Sequence, residues 1–131
     1  VFSTFSNIDK IKKWVGFSPN TTFDEGIRDL IDQLLKPKDL RREDIKHWAI
    51  HPGGRKILEV CEDELKLKND ELNASYSTLK NFGNMSAPTI LFVLKEIMQN
   101  GKTANSDQLF ACGFGPGLTL EAALFEIERH A

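Results

Sequence analysis

Two cysteines in 131 residues, Cys61 and Cys112, are too few for a disulfide framework and make no metal motif. No apolar run approaches the roughly 20 residues of a membrane-spanning helix. Residues 1–20 carry no basic stretch leading into an apolar one, so a secretory leader is not expected there. An excess of positive charge is also lacking: 17 Lys and Arg face 19 Asp and Glu, a formal net charge of -2. That balance argues against a nucleic-acid binder, which needs a clustered basic surface. With no disulfides to protect, a reducing, cytoplasmic setting is expected. The chain opens on Val1, and we expect it to be a piece of something longer.

What is present suits one soluble domain, with 40% hydrophobic and 27% charged residues. Residues 1–20 are the least readable, with a short amphipathic helix over Ile8 to Val15, ended near Gly16, and a turn at Ser18-Pro19-Asn20. We treat them as a terminal segment or linker, and residues 21–131 as the domain. Thr22 or Asp24 can cap a helix whose apolar face is Phe23, Ile27, Leu30, Ile31, Leu34 and Leu35, stopped by Pro37. A charged connector, Lys38 to Asp44, leads to a short buried strand at Trp48-Ala49-Ile50. A helix follows with Ile57, Leu58, Cys61 and Leu65 on one face, then another over about Glu71 to Lys80. Ser86 and Pro88 stand where an N-cap and a first-turn proline belong. The next helix, carrying Ile90, Leu91, Val93, Leu94, Ile97 and Met98, is apolar around most of its circumference and should be buried on more than one side. Gln108 to Cys112 reads as a strand entering a glycine-rich turn, and Leu118 to Glu128 as a second, antiparallel strand. The order predicts an α/β fold in which helices cover a mixed sheet. Cys61 and the phenylalanines read as core, and His47 and His130 as surface histidines.

Three breaker-rich stretches punctuate this pattern: His51-Pro52-Gly53-Gly54, Gly83-Asn84-Met85-Ser86 and Gly113-Phe114-Gly115-Pro116-Gly117. A histidine delivered by a strand to its carboxyl end is well placed for acid–base or hydrogen-bond chemistry, because ligands of open α/β sheets bind at that edge. Taken singly, each stretch is an ordinary turn. In this order and spacing they resemble the carboxyl-terminal half of the chalcone/stilbene synthases, the type III polyketide synthases of the thiolase superfamily. The resemblance runs from near Lys46 to Glu128, with a looser fit over the helix beginning at Phe23.

The resemblance implies a thiolase-like half and an acyltransferase that condenses malonyl-CoA, with loss of carbon dioxide, onto a starter acyl-CoA. It implies that His51 and Asn84 are catalytic, donating hydrogen bonds to a thioester oxygen as it becomes an enolate. It further places Ser86 and the loop Gly113, Phe114, Gly115, Pro116 and Gly117 along the polyketide cavity. Coenzyme A thioesters are the substrates, with no metal or organic cofactor, and the active protein is a homodimer. The family's nucleophilic cysteine belongs to an amino-terminal half that nothing in this chain matches. Cys112 is not expected to replace it, and none of Phe2, Phe5, Phe17 and Phe23 takes the family's cavity-narrowing role. The chain alone is therefore expected to be inactive and to expose apolar surface. From the residues themselves, Gly54, Arg55 and Lys56 open a helix, where free N–H groups favour an anion such as a coenzyme A phosphate. A β-ketoacyl-(acyl carrier protein) synthase of the initiating type is disfavoured by Pro52-Gly53-Gly54. A non-catalytic half that binds CoA thioesters or a partner subunit stays open.

Overall fold

The computed structural model describes residues 9–16, 18, 21–68, 70–115 and 119–129. Its elements are α1 (Asp9–Val15), α2 (Phe23–Leu35), β1 (Ile45–Ile50), α3 (Arg55–Leu65), α4 (Asn73–Phe82), α5 (Thr89–Gln99), β2 (Gln108–Gly115) and β3 (Thr119–Glu126). The expected order of elements is observed, with two 3-10 turns, Lys36–Lys38 and Arg42–Asp44, in the charged connector.

The sheet runs β1-β2-β3. Strands β1 and β2 are parallel, pairing Trp48 with Phe110 and Ile50 with Cys112, and β3 returns antiparallel, pairing Cys112 with Ala122. Two parallel neighbours require a long crossover, which α3, α4 and α5 supply. Side chains alternate across the sheet. Trp48, Ile50, Phe110 and Cys112 share a core with Ile27, Ile31 and Leu35 of α2 and Leu58, Cys61 and Leu65 of α3. Ala49, Leu109 and Ala111 meet Val93 and Ile97 of α5 and Ala74 of α4. The result is a mixed α/β layer structure of the thiolase-like kind, with bulky residues on one face and small ones under α5.

Local rules explain the helix ends. Thr22 caps α2 with a reciprocal box, its Oγ1 accepting from the Glu25 N–H and the Glu25 carboxylate accepting from the Thr22 N–H at 2.8 Å. The α-helix stops at Leu35, and Pro37 falls within the 3-10 turn that follows. Lys66 ends α3 in the left-handed conformation, and Arg28 of α2 pairs with Glu64 of α3.

Five expectations need correcting. Strand β1 begins at Ile45, because Ile45 is buried while Lys46 is exposed and the three-residue apolar run is only its inner end. The glycine-rich turn is half strand: Gly113, Phe114 and Gly115 continue β2 opposite Glu121, Leu120 and Thr119. Ser86 does not cap α5; it stands at φ 63° and Pro88 occupies the cap position, with no side-chain cap bond. Helix α5 is buried on one side and not on more, along Thr89, Val93 and Ile97, while Leu91 is 63% and Met98 40% exposed. The phenylalanines are not uniformly core either: Phe110 is fully buried, but Phe82 and Phe125 are exposed. Of these exposed residues, Leu91 and Phe125 border the same open apolar groove.

Candidate active site

The first side chain is positioned by the end of β1. The His51 N–H donates to the Cys112 carbonyl at 2.8 Å, continuing the ladder by one residue, and the His51 carbonyl accepts from the Gly53 N–H at 2.9 Å. The chain then bends into α3. A Cβ on Gly53 would lie 2.8 Å from Ile57 Cδ1 and 3.9 Å from His51 Cδ2, so the absent side chain lets the turn close against the ring. His51 itself is buried, and burial holds its pKa below the ordinary histidine value. Among the described residues its ring has no hydrogen-bond partner.

Asn84 comes from the α4–α5 connection. Gly83 ends α4 at φ 71°, a conformation glycine adopts without strain, its N–H bonding the Leu79 carbonyl. The Asn84 amide is then held at both ends: Nδ2 donates to the Gly53 carbonyl at 3.0 Å and Oδ1 accepts from the Ser86 N–H at 2.8 Å. This fixes which way the amide faces and leaves one Nδ2 hydrogen uncommitted. It also ties the asparagine loop to the histidine loop. Thr89 stitches the same loop, its Oγ1 accepting from the Met85 N–H and donating to the Ser86 carbonyl, both at 2.8 Å.

These loops meet at one cavity of about 540 Å³, lined by His51, Asn84, Ser86, Ala87, Ile90, Gly113, Phe114, Gly115 and Glu121. It lies at the carboxyl ends of the parallel strands, where ligands of such sheets bind. Of the expected site residues, His51, Asn84, Ser86, Gly113, Phe114 and Gly115 are brought together there; Pro116 and Gly117 lie outside the described residues, as does His130. Gly54, Arg55 and Lys56 do not line this cavity. Arg55 and Lys56 sit on the exposed first turn of α3 and share one carboxylate, Glu59, at 3.1 and 3.5 Å.

A neutral, buried imidazole and a locked amide make a pair of donors suited to an oxygen that gains negative charge. A thiolate is not at hand. Cys61 and Cys112 are both fully buried, and burial raises each thiol to about 12. Among the described residues, no three His, Cys, Asp or Glu side chains are grouped to hold a metal, and no helix is long and apolar enough to cross a membrane.

Sequence reasoning missed four features. His47 is no surface residue: its Nε2–H donates to Asp107 Oδ2 at 2.8 Å with the ring 13% exposed. Glu121 lines the cavity because β3 pairs it with Gly113. Thr89 and Ser75 are buried hydroxyls behind the asparagine and histidine loops. Only Thr89, at a helix start where hydroxyls bond local backbone, carried a usable signal. A larger cleft of about 600 Å³ between α2 and α3 is bordered by charges that largely pair among themselves, Arg28 with Glu64 and Lys36 with Asp32.

Residues 14–127 match the family described as chalcone and stilbene synthases, C-terminal domain. The chain is 36% identical over 105 residues to an alpha-pyrone synthesis polyketide synthase-like protein of Mycobacterium tuberculosis, covering 79% of this chain and 27% of that protein. It is 34% identical over 95 residues to a 3,5-dihydroxyphenylacetyl-CoA synthase of Amycolatopsis balhimycina, covering 72% and 26%. The crystal structure of a polyketide synthase of the brown alga Ectocarpus siliculosus aligns with a TM-score of 0.66 at 30% identity, over 78% of this chain and 28% of that one. The chain thus spans about a quarter of the length of the curated relatives it matches.

Proposed function

The chain belongs to the chalcone and stilbene synthases as their C-terminal domain, and from that premise we propose that it supplies two of the three catalytic groups of a type III polyketide synthase. The third, a cysteine thiolate, comes from outside this chain and carries the starter acyl group taken from its coenzyme A thioester. Malonyl-CoA then binds with its thioester oxygen facing His51 and Asn84. The bond between its methylene carbon and its carboxylate breaks, carbon dioxide leaves, and the bonding pair becomes an enolate. The negative charge collects on the thioester oxygen, where the imidazole N–H and the free Nδ2 hydrogen of Asn84 meet it. Donors already aimed at that oxygen need no reorganisation, which is how such groups lower a barrier. The carbanion attacks the cysteine-bound acyl carbon, and the thiolate departs. In this reading Ser86 and Gly113 to Gly117 border the growing chain, and the glycines let backbone approach it closely. Arg55 and Lys56, with Gly54, meet a coenzyme A phosphate by exchanging Glu59 for it. No metal or organic cofactor takes part. Residues 21–131 are the domain, and residues 1–20 a segment leading into it.

The observation that carries this reading is the convergence of three loops, more than 60 residues apart at the extremes, on one cavity with His51 and Asn84 linked through Gly53. The uncovered apolar face of α5 and β3 supports the rest. Ile90, Leu91, Leu94, Ala111, Ala123 and Phe125 border an open apolar groove beside the site, which we assign to the cysteine-bearing part of the parent protein. The parent acts in the cytoplasm as a homodimer. The test is to supply that protein with radiolabelled malonyl-CoA and a panel of acyl-CoA starters. Release of labelled carbon dioxide and formation of a polyketide, both lost in His51→Ala and Asn84→Ala, are expected.

One observation favours a second reading. Both thiols of the chain are buried and protonated, so by itself it holds donors without a nucleophile. A half domain that only binds a CoA thioester or a partner subunit fits that. An inert parent protein that still binds acyl-CoA would favour it.

A further inference from the structure

We propose that Ser75 is the positioning residue for His51, an inference that rests on the catalytic reading given above. Among the described residues, strand β1 is an edge strand, with β2 alone beside it. The His51 N–H faces β2, where it bonds the Cys112 carbonyl. Successive residues of a strand direct their backbone groups to opposite sides. The Ile50 carbonyl, one residue earlier, therefore points off the free edge, where no strand can receive it. It is buried there, and a buried carbonyl needs a donor. Ser75 of α4, itself fully buried, donates its hydroxyl to that carbonyl at 2.7 Å.

The consequence reaches the ring because the ring has no hydrogen-bond partner among the described residues. Its aim is set by the backbone that carries it. That backbone is pinned at three successive points: Ser75 on the Ile50 carbonyl, Cys112 on the His51 N–H, and Gly53 on the His51 carbonyl. Two of the three are bonds between backbone groups alone. Ser75 is the side chain among them, and it anchors the peptide joining Ile50 to His51 from the side opposite β2. Without it, that peptide is free to tilt about the edge of the sheet, and His51 tilts with it. A displacement of about 1 Å at a catalytic group is enough to cost up to about 10²-fold in rate.

The experiment uses the full synthase that contains this chain, with wild type, His51→Ala, Ser75→Ala, Ser75→Thr and Leu72→Ala measured side by side. Leu72 lies in the same core and is also fully buried, so Leu72→Ala reports what loss of packing alone does. Ser75→Ala is expected to lower the kcat of malonyl-CoA decarboxylation about tenfold or more. Its KM should stay near wild type and the nitrogen resonances of the His51 ring should shift. Ser75→Thr, which keeps the hydroxyl, is expected to recover most of the rate and the wild-type resonances. Leu72→Ala should lower the Tm without either change. A Ser75→Ala protein with wild-type kcat and unshifted His51 resonances overturns the inference while wild-type activity, lost in His51→Ala, leaves the catalytic reading standing. An inert wild type overturns the catalytic reading instead, and the ring resonances still decide whether Ser75 sets the histidine.

Discussion

Two histidines four residues apart, His47 within β1 and His51 just past its end, lie at opposite ends of the sheet and in opposite circumstances. His47, near the amino end, is paired with Asp107, whose carboxylate also accepts the Ala104 N–H at 2.8 Å. Around that end Arg129 donates to Thr103, and the Arg129 N–H donates to Asn105. These bonds tie the β1 end, the loop before β2 and the chain after β3 to one another. His51, at the carboxyl end, is more deeply buried, has no ring partner among the described residues and faces a cavity. Its surroundings are glycines, backbone carbonyls and an amide locked in place. A histidine satisfied by a carboxylate holds structure together. One left unsatisfied at the mouth of a cavity is placed for something that arrives later, and the difference is invisible in residue type.

The comparison can be broken most severely by exchanging which end matters. In the parent protein, His51→Ala is expected to lower malonyl-CoA decarboxylation by about 10²–10³-fold, the usual effect of removing one donor at a developing oxyanion. His47→Ala should leave the rate close to wild type. Equal losses from the two, measured as released carbon dioxide, would erase the distinction. Stability should show the reverse order. His47→Ala deprives a half-buried carboxylate of its side-chain partner, a loss of about 1–3 kcal/mol, read as the urea midpoint of the chain. His51→Ala, at a site with no ring partner to lose, should cost less.

The two ends should also separate on the pH axis. Burial lowers the His51 pKa from its ordinary value of 6.5. Its stabilising contribution is complete above 6.5 and is lost as the pH falls from there toward the lowered native value, because the unfolded chain takes up the proton first. Asp107 is held below the usual 3.8 by the Ala104 N–H and then by His47. Its contribution is present above 3.8 and disappears only as the pH falls further, through its native value. Two separate losses are expected in a pH series of urea unfolding, the upper removed by His51→Asn and the lower by Asp107→Asn. The smallest effect is an absence: Cys61 and Cys112, raised to about 12, should resist a thiol reagent at pH 8 in the folded chain and react fully in urea. Rapid labelling of Cys112 in the native chain would mean that the carboxyl end of β2 opens far more readily than its burial implies.

Much of the fold was legible because its helices are amphipathic and its breakers fall between elements. Ile27, Ile31 and Leu35 recur at helical spacing and Thr22 precedes them, so α2 is written in local sequence. The start of β1 was not, since Lys46 and His47 carry no apolar signal, and the strand extends there because Ile45 and His47 pair with Gln108 and Leu109 of β2. Pairing with β3 made strand of Gly113 to Gly115, overriding the tendency of glycine to turn. In the site, His51, Asn84 and Ser86 were recognisable from two of the three motifs. The part played by Ser86 was not, because it works through its backbone N–H at a positive φ rather than as a helix cap.

The sequence by itself determined the helices, their caps and the three motifs in register, because those depend on neighbours a few residues away. The tertiary structure decided which histidine is free and which is paired, since Asp107 lies 60 residues from His47. It decided that Asn84 faces the histidine loop through the Gly53 carbonyl, and that Ser75 holds the free edge of β1. Each of these pairings joins polar groups far apart in sequence that only the folded chain brings together. No local pattern encodes such a pairing, because the partners do not meet until the other elements are in place.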